Sequence, residues 1–212
     1  YFVSLVAFLM IFLPANRLLS VDAYRKPEIV SKKTENWTIW ILRFQLGIVY
    51  FFAGIAKLNS DWLFEAQPLK IWLQAYRDLP LVGALFTSSA LAFAFSWFGC
   101  IYDLTIPFFL SSKKTRNIAY LFVIVFHLVT WILFPIGVFP WVMIFSTLIF
   151  FPAEFHQKMI NFFQSKLNLQ KQFATVVQKS NKKIILSFLS IYIVFQVLIP
   201  FRYLLYSGNL PW

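Results

Sequence analysis

Apolar runs separated by short polar segments extend along the whole chain. Six of these runs predict helices that cross a membrane, because about 20 apolar residues at a rise of 1.5 Å span the hydrocarbon of a bilayer. The predicted spans cover residues 1–13, 37–58, 81–110, 118–134, 139–151 and 184–205. The third run exceeds one crossing, so it requires tilt, a kink or an exposed extension. The pattern therefore predicts an all-α, polytopic membrane protein, a helical bundle of about six transmembrane helices.

Two segments between the predicted spans mix apolar and charged residues. Residues 62–78 place Trp, Leu and Tyr side chains among four charged ones, which predicts an amphipathic helix lying in the membrane interface. Residues 153–183 contain six lysines with apolar residues at helical intervals, and we expect them to form a basic cytoplasmic connector. We expect residues 1–212 to form a single transmembrane domain. Because the chain begins within an apolar run, we also expect it to be a fragment that lacks both ends.

The composition supports the membrane assignment. Hydrophobic residues make up 60% of the chain and aromatic residues 21%, and the mean hydropathy is +0.71. Soluble globular domains do not carry such a composition. The single cysteine, Cys100, excludes a disulfide framework, and the two histidines, His127 and His156, leave no spacing typical of a metal site. We therefore expect an integral membrane protein without a bound metal.

The net charge of +11 is explained by the loops between the spans. If the spans alternate in direction, residues 20–36, 111–117 and 152–183 share one side and hold thirteen Lys and Arg residues. Such an excess marks the cytoplasmic side, which places Lys57 toward the non-cytoplasmic side. No basic segment with interleaved aromatic residues lies outside the apolar runs, so we expect no binding of nucleic acid. The expected partner of the apolar runs is the lipid bilayer.

Lys57 is the clearest candidate for chemistry, because it ends an apolar run and is followed by polar residues at positions 59–61. One interpretation is structural: the ammonium of a lysine near a helix end reaches the membrane interface. The other is chemical: an apolar pocket disfavours the charged form of an amine, and a neutral amine can act as a general base. Gly54, about one helical turn earlier, would leave room for a flat ligand beside the helix.

Three further polar residues lie within the predicted spans. Arg43 can hold a carboxylate or quinone oxygen, or it can form an interior salt bridge with Asp22 or Asp103. Asp103 is accordingly either a buried acid or the counter-ion of Arg43. His127 can donate a hydrogen bond between helices or take part in catalysis. No nucleophilic triad, paired carboxylates, phosphate-binding loop or metal-ligand spacing accompanies them, so these residues alone do not name a reaction.

The stretch YFFAGIAKLNSDW, from Tyr50 to Trp62, resembles the Y-F-x-A-G-x-x-K-L-x-x-D-W signature of a known family. That family comprises vitamin K-dependent γ-glutamyl carboxylases and bacterial proteins with the related horizontally transferred transmembrane domain. Further stretches resemble the family in the same order along the chain. They are residues 15–22 (ANRLLSVD), 126–127 (FH), 136–139 (IGVF), 150–154, 195–202 and 206–209. The resemblance covers nearly the whole chain.

The resemblance implies a reaction. In the family, the lysine that matches Lys57 is the base that takes a proton from reduced vitamin K. The reaction of this quinol with O₂ drives the carboxylation of protein Glu side chains by CO₂, and the quinol leaves as a quinone epoxide. It implies that Lys57 is catalytic here, that reduced vitamin K or menaquinol is the cofactor, and that O₂ and CO₂ are co-substrates. Six other residues would form the quinol pocket: Arg43, Tyr50, Gly54, Asp61, Trp62 and His127.

The chain departs from the family pattern at several positions. Ala56 stands where the family has a second lysine, and Arg17 stands where it often has histidine. The family's Asn-His pair would fall before Tyr1, and its soluble substrate-binding domain would follow Trp212. Two functions therefore stay open: an enzyme of the bacterial inner membrane with a protein substrate, or a non-catalytic membrane subunit that is a scaffold for partner subunits in a larger assembly. A transporter is disfavoured, since no matched pair of broken helices is evident.

Overall fold

The computed structural model describes residues 2–18, 20–31, 33–166 and 182–201. No strand occurs within those ranges, and the all-α fold expected from the sequence is confirmed. In chain order the α-helices are α1 (Phe2–Phe12), α2 (Val21–Arg25), α3 (Asn36–Ala56), α4 (Ser60–Leu63), α5 (Leu69–Leu73), α6 (Gly83–Phe86), α7 (Ser89–Ser111), α8 (Arg116–Leu133), α9 (Phe139–Thr147), α10 (Ala153–Lys166) and α11 (Lys182–Leu198). Short 3₁₀ turns cover Ala15–Arg17, Pro27–Ile29, Gln74–Tyr76 and Leu148–Phe150.

Four helical segments of the described chain are long and apolar enough to cross a membrane. They are Asn36–Ala56, Ser89–Ser111, Arg116–Leu133 and Lys183–Phe201. A fifth crossing results if the bent pair Phe139–Phe150 and Ala153–Phe162, whose axes differ by 116°, acts as one span. The helix α1 is apolar but has only 11 residues, a length of about 16 Å. The described chain thus supports four or five spans, and the expected count of six is not confirmed.

The bend that follows the predicted fifth span, residues 139–151, occurs at Pro152. Phe151, the residue before this proline, has an extended backbone with ψ of 154°. This conformation is expected, because a following proline disfavours the helical region for the residue that precedes it. The apolar helix therefore ends at this point, and α10 starts in a new direction.

The predicted third span, residues 81–110, is divided in the structure. Leu81 has a left-handed backbone with φ of 71° and is fully exposed, and α6 covers only Gly83–Phe86. Ser88 is extended and precedes the first turn of α7. The long apolar run therefore contains one crossing helix and an exposed extension before it. Of tilt, a kink and an exposed extension, the structure shows the extension.

Residues 62–78 do not form one continuous amphipathic helix, and this expectation is wrong. They comprise the end of α4, the helix α5 and the 3₁₀ turn Gln74–Tyr76. Between α4 and α5, Ala66 adopts a positive φ of 51°, and Pro68 has no backbone N–H to donate. A helix cannot run through such a segment. The placement of these residues in the membrane interface stays a prediction.

The chain forms two compact units, one from residues within 1–40 and 164–212 and one from residues 41–163. The single domain expected over the whole chain stays a prediction. Three parts of the sequence interpretation lie outside the described residues. They are the later part of the basic connector (167–181), the end of the last predicted span (202–205) and the last stretch that resembles the family (206–209).

In the first unit, α1 packs on α11 through aromatic rings. The ring centroids of Phe8 and Tyr192 are 4.9 Å apart, and those of Phe12 and Phe188 are 5.2 Å apart. Rings at these distances interact favourably beyond the area that they bury. The short apolar helix α1 is therefore held by one of the helices long enough to cross a membrane.

In the second unit, α3 ends beside the middle of α7. A Cβ placed on Gly54 would lie 2.6 Å from Cγ of Leu104, so the two helices approach closely there. After α3 ends, the chain continues along the first half of α7, where Nε1 of Trp62 donates to the carbonyl of Ser96 over 2.9 Å. Lys57 follows the last residue of α3, and it is therefore level with the middle of α7.

A buried apolar cluster joins the short helices to α7 and α8. Its buried members are Ala66, Leu69, Leu73, Ala92 and Leu133. Tyr76 adds a hydrogen bond, in which its hydroxyl donates to the carbonyl of Leu133 over 2.5 Å. Leu69 and Leu133 also form part of the wall of a cavity, so the cluster fixes one end of the candidate site.

Candidate functional site

A cavity of about 420 Å³ lies within the second unit. Its walls come from α3, α7, α8 and α9, and from Trp62 and Trp72 of the short helices. Most lining side chains are aromatic or aliphatic. Besides the two indoles, the polar side chains are Tyr50, Lys57, Asp103, His127 and Thr130. This volume and this lining are typical of pockets for small organic ligands, which combine apolar walls with a small number of polar groups.

Lys57 and Asp103 form an ion pair on the cavity wall. Nζ of Lys57 lies 2.5 Å from Oδ2 of Asp103 and donates a second hydrogen bond, of 3.2 Å, to the carbonyl of Ala53. The carboxylate is the more deeply buried partner, with 7% of its side chain exposed against 20% for the lysine. Pairing is required there, because an isolated charge in apolar surroundings is costly. The amine is therefore held at the cavity wall. The structural interpretation, in which the Lys57 ammonium reaches the membrane interface, does not predict this position.

The polar residues after Lys57 hold Trp62 against α7. Asn59 caps α4, since its Oδ1 accepts from the N–H of Trp62 over 2.8 Å, and its Nδ2 donates to the carbonyl of Ala56 over 2.9 Å. Trp62 and Ser96 exchange two hydrogen bonds, from indole N–H to carbonyl and from hydroxyl to carbonyl. The ring centroid of Trp62 lies 5.3 Å from Nζ of Lys57. This distance is within the range of a cation–π contact.

Tyr50 and His127 form a second polar pair on the cavity. The hydroxyl of Tyr50 lies 2.9 Å from Nε2 of His127, and both side chains are buried. The two residues come from α3 and α8, so the hydrogen bond joins these helices, as one interpretation of the histidine expects. Tyr102 packs edge-on to Tyr50 and stacks on Phe126, with 4.1 Å between the latter two ring centroids. Aromatic packing therefore fixes the position of this pair.

Arg43 lies away from the cavity, toward the other end of α3. Fourteen positions separate it from Lys57, which corresponds to about 21 Å of helix at 1.5 Å per residue. Its guanidinium donates to the carbonyls of residues 149–151 over 2.9, 3.3 and 3.4 Å. Carbonyls at the end of a helix lack intrahelical partners, and those before Pro152 find one in Arg43. Arg43 therefore binds the carbonyls at the end of the helical segment before Pro152, and it does not line the predicted pocket.

Gly54 and Asp61 also lie outside the cavity lining. The space beside Gly54 is filled by Leu104 of α7, so the expected room for a flat ligand is absent there. Asp61 is exposed on α4, and its carboxylate is 3.4 Å from the hydroxyl of Ser60. The structure brings four of the predicted site residues to one cavity: Tyr50, Lys57, Trp62 and His127.

Among the cavity residues that the sequence does not predict, Asp103 and Gly99 bear most directly on the chemistry and the shape of the site. Asp103, which the sequence suggests as a counter-ion of Arg43, pairs with Lys57 instead. Gly99 lines the cavity on α7, and a Cβ placed on it would meet no atom of the described chain within 4 Å. An acid within a span is the signal that could have assigned Asp103 to the lysine. Nothing in the sequence singles out Gly99.

The fold and the cavity define an all-α integral membrane protein with an apolar cavity of small-molecule size, on whose wall a lysine is ion-paired. A family model for the HTTM domain matches residues 1–155, well over half of the chain. The chain therefore belongs to the HTTM domain family, and this domain is found in vitamin K-dependent carboxylase. The resemblance seen in the sequence is thereby confirmed. No solved structure matches the chain.

Proposed function

We propose that this protein is a quinol-dependent membrane enzyme of the carboxylase type, in which the Lys57–Asp103 pair accepts a proton from a reduced quinol held in the cavity. The quinol would be reduced vitamin K or menaquinol, with O₂ and CO₂ as co-substrates and Glu side chains of a protein as the groups carboxylated. The observation that carries the proposal is the place of the pair: an amine and a carboxylate, 2.5 Å apart, lie on the wall of an apolar cavity. Membership of the HTTM family supports it.

The cavity fits a quinol in size and chemistry. Its volume of about 420 Å³ is within the range of pockets for small organic ligands. Phe95, Phe98 and Phe126 are among its lining residues, and aromatic side chains pack favourably against a flat aromatic ring. The polar groups that a quinol hydroxyl needs are present at the wall formed by Lys57 and Asp103.

The ion pair supplies a defined proton acceptor. Nζ of Lys57 donates to the carboxylate of Asp103 over 2.5 Å, so a proton can move between the two groups. When the shared proton moves to Asp103, Nζ of Lys57 becomes a free amine that can take a proton from a hydroxyl beside it. The pair then holds one more proton, as an ammonium beside a carboxylic acid, and gains one positive charge. The ring of Trp62, 5.3 Å from Nζ, is placed to stabilise that charge.

The other cavity residues would orient the ligand and exclude water. Tyr50 of α3 precedes Lys57, the first residue after this helix, by seven positions, which corresponds to about 10 Å along the helix axis. The Tyr50–His127 hydrogen bond therefore offers a second polar contact at the far side of a ring-sized ligand. A bound reduced quinol would supply the electrons for O₂ and the base strength that removal of a γ-proton from Glu needs.

The location and partners follow from the same proposal. We place the protein in a bacterial inner membrane with Lys57 toward the non-cytoplasmic side, because the basic loops concentrate on the opposite side. Residues 62–78 would lie at the interface, where a protein substrate or a partner subunit can reach the short helices over the cavity. The basic connector, residues 153–183, would contact anionic lipid headgroups in the cytoplasmic leaflet.

Epoxide formation tests the proposal. Purified full-length protein in detergent would be given reduced menaquinone or reduced vitamin K under O₂. We expect epoxide from the wild type and at least about 100-fold less from Lys57→Met, since a positioned base contributes at least that factor. Lys70→Met is the matched control, because Lys70 is also a half-buried lysine of this unit but lies over the ring of Phe93, outside the cavity lining. It should keep the activity.

The contrary outcome is equally specific. If folded wild-type protein forms no epoxide from either quinol, the proposed enzymatic function is excluded. The ion pair would then serve to join α3 to α7, and a non-catalytic membrane subunit would be the function to pursue through the proteins that co-purify with it.

A further inference from the structure

A separate groove of about 740 Å³ lies in the second unit, where α7 ends and α8 begins. Both helices are long and apolar enough to cross a membrane, so their shared end lies where the apolar layer of a bilayer meets water. The residues that line the groove include Lys113, Arg116, Asn117, Tyr120, Phe151 and Phe155. None of them lines the cavity that contains Lys57. The groove is therefore a second candidate site.

The polar residues of the groove are hydrogen-bond donors without an acidic partner. The guanidinium of Arg116 is fixed by hydrogen bonds to the carbonyl of Leu110 over 3.0 Å and to the carbonyl of Ser111 over 3.3 Å. It has further N–H donors that these two bonds do not use. The side chains of Lys113 and Asn117 form no hydrogen bond with a described residue, and neither cation forms a salt bridge within the described chain. The groove thus presents positive charge that the described residues do not neutralise.

The aromatic residues of the groove pack against one another. The ring of Tyr120 meets that of Phe151 edge-on with centroids 5.2 Å apart, and the centroids of Phe151 and Phe155 are 4.6 Å apart. Arg43 also donates to the carbonyl of Phe151. These contacts fix the position of the rings. The groove therefore combines an apolar surface with cationic donors at the end of two crossing helices.

We propose that this groove binds the phosphate group of an anionic phospholipid, with Lys113, Arg116 and Asn117 as the donors. Guanidinium and ammonium groups form charge-assisted hydrogen bonds with phosphate oxygens, and basic pockets between membrane-spanning helices bind the headgroups of anionic lipids. The glycerol and the first methylenes of the acyl chains pack on the rings of Phe151 and Phe155. The inference does not depend on the proposed function, because the groove and the cavity share no lining residue.

Two observations favour a lipid over a soluble phosphate. The groove lies at the end of two helices that can cross a membrane, where phospholipid headgroups are concentrated. A lipid would also cover the aromatic rings, whereas a small soluble phosphate would leave them in contact with water. No carboxylate lines the groove: Glu154, next to Phe155 in the sequence, is exposed and lies outside the lining. The phosphate therefore meets no fixed negative charge in the lining.

Two neighbouring lysines provide a matched pair of variants. Lys113→Glu places a carboxylate in the groove. Lys114→Glu makes the same change of charge at the next residue, which is exposed and does not line the groove. Neither lysine has a hydrogen bond or an ion pair within the described chain, so both variants should fold. Full-length protein in a neutral detergent would be titrated with phosphatidylglycerol, with phosphatidylcholine of the same acyl chains, or with glycerol phosphate, and native mass spectrometry would measure the Kd of each.

We expect the wild type to bind phosphatidylglycerol at least about tenfold more tightly than the other two probes, because choline offsets the phosphate charge and glycerol phosphate lacks the apolar part. Lys113→Glu should weaken the binding of phosphatidylglycerol about tenfold, since it replaces a charge-assisted hydrogen bond by repulsion. Lys114→Glu should stay within about twofold of the wild type, because salt screens exposed charges outside the groove.

Three results would overturn the proposal. An equal loss in the two variants would show that the basic loop attracts lipid as a whole and that the groove is not a site. No loss in either variant would exclude the groove as well. An affinity for glycerol phosphate equal to that for phosphatidylglycerol would exclude the lipid and assign the groove to a soluble phosphate.

Discussion

Nζ of Lys57 lies 2.5 Å from Oδ2 of Asp103, although 46 positions of sequence separate the two residues. The contact depends on α3 ending beside the middle of α7, which brings the first residue after α3 level with a carboxylate inside a crossing helix. Because that carboxylate is almost completely buried, removal of one charge leaves the other without a partner in apolar surroundings. The two residues are therefore a unit in stability as well as in the proposed chemistry.

Removal of either partner alone should destabilise the protein more than removal of both. We expect Lys57→Met and Asp103→Leu each to lower the free energy of unfolding by about 3 kcal/mol, because each leaves a buried charge unpaired. The double variant replaces the pair by apolar side chains and should regain most of that loss. Unfolding of the purified variants in one detergent measures this double-mutant cycle. Strictly additive losses would show that the two groups do not interact.

Gly54→Ala should weaken the packing of α3 on α7. The new Cβ would lie 2.6 Å from Cγ of Leu104 and 3.0 Å from its backbone N, so the helices must move apart, at a cost of about 1–3 kcal/mol. Gly99→Ala is the matched control: its Cβ enters open space, and alanine favours a helix over glycine by about 1 kcal/mol. Unfolding free energies compare the two variants. Equal stability would contradict the close approach described at Gly54.

Arg43→Lys distinguishes the role expected from the sequence from the position seen in the structure. Lysine cannot reproduce the forked hydrogen bonds to the carbonyls of residues 149–151. We therefore expect the free energy of unfolding to fall by about 1–2 kcal/mol, with the affinity for menadione unchanged. Unfolding and fluorescence quenching measure the two quantities on the same sample. A large fall in affinity at unchanged stability would instead favour a place for Arg43 in the quinol pocket.

The crossing helices could be predicted from the sequence, because a segment in hydrocarbon must be apolar and must satisfy its own backbone hydrogen bonds. The prediction fails where the backbone turns within apolar sequence. Residues 81–88 are as apolar as a span, yet Leu81 adopts a left-handed conformation and α7 begins only at Ser89. At Pro152, by contrast, the apolar helical segment ends where the sequence predicts the fifth span to end. Apolarity reports the environment of a segment and does not show where its helix ends.

The candidate site could be predicted only in part. The motif around Lys57 identifies the lysine, and it also contains Tyr50, on the helix before the lysine, and Trp62, on the short helix after it. The contact of Asp103 with Lys57 depends on how α3 and α7 are offset along their axes. No local sequence pattern contains this information. Arg43 shares an apolar run with Lys57, but the helical rise places it about 21 Å away. Residues that are neighbours in a span are not for that reason neighbours in a site.

Photolabelling is the most direct test of the claim that a quinol binds in this cavity. A tailless azido-naphthoquinone would be cross-linked to the full-length protein in detergent, and the labelled peptides would be identified by mass spectrometry. We predict labels on the lining segments of α3, α7 and α8, competition by excess menaquinone, and loss of labelling in Gly99→Leu, whose side chain would occupy the cavity. Labelling that is unchanged in Gly99→Leu, or that falls only on peptides outside residues 49–143, would contradict the account.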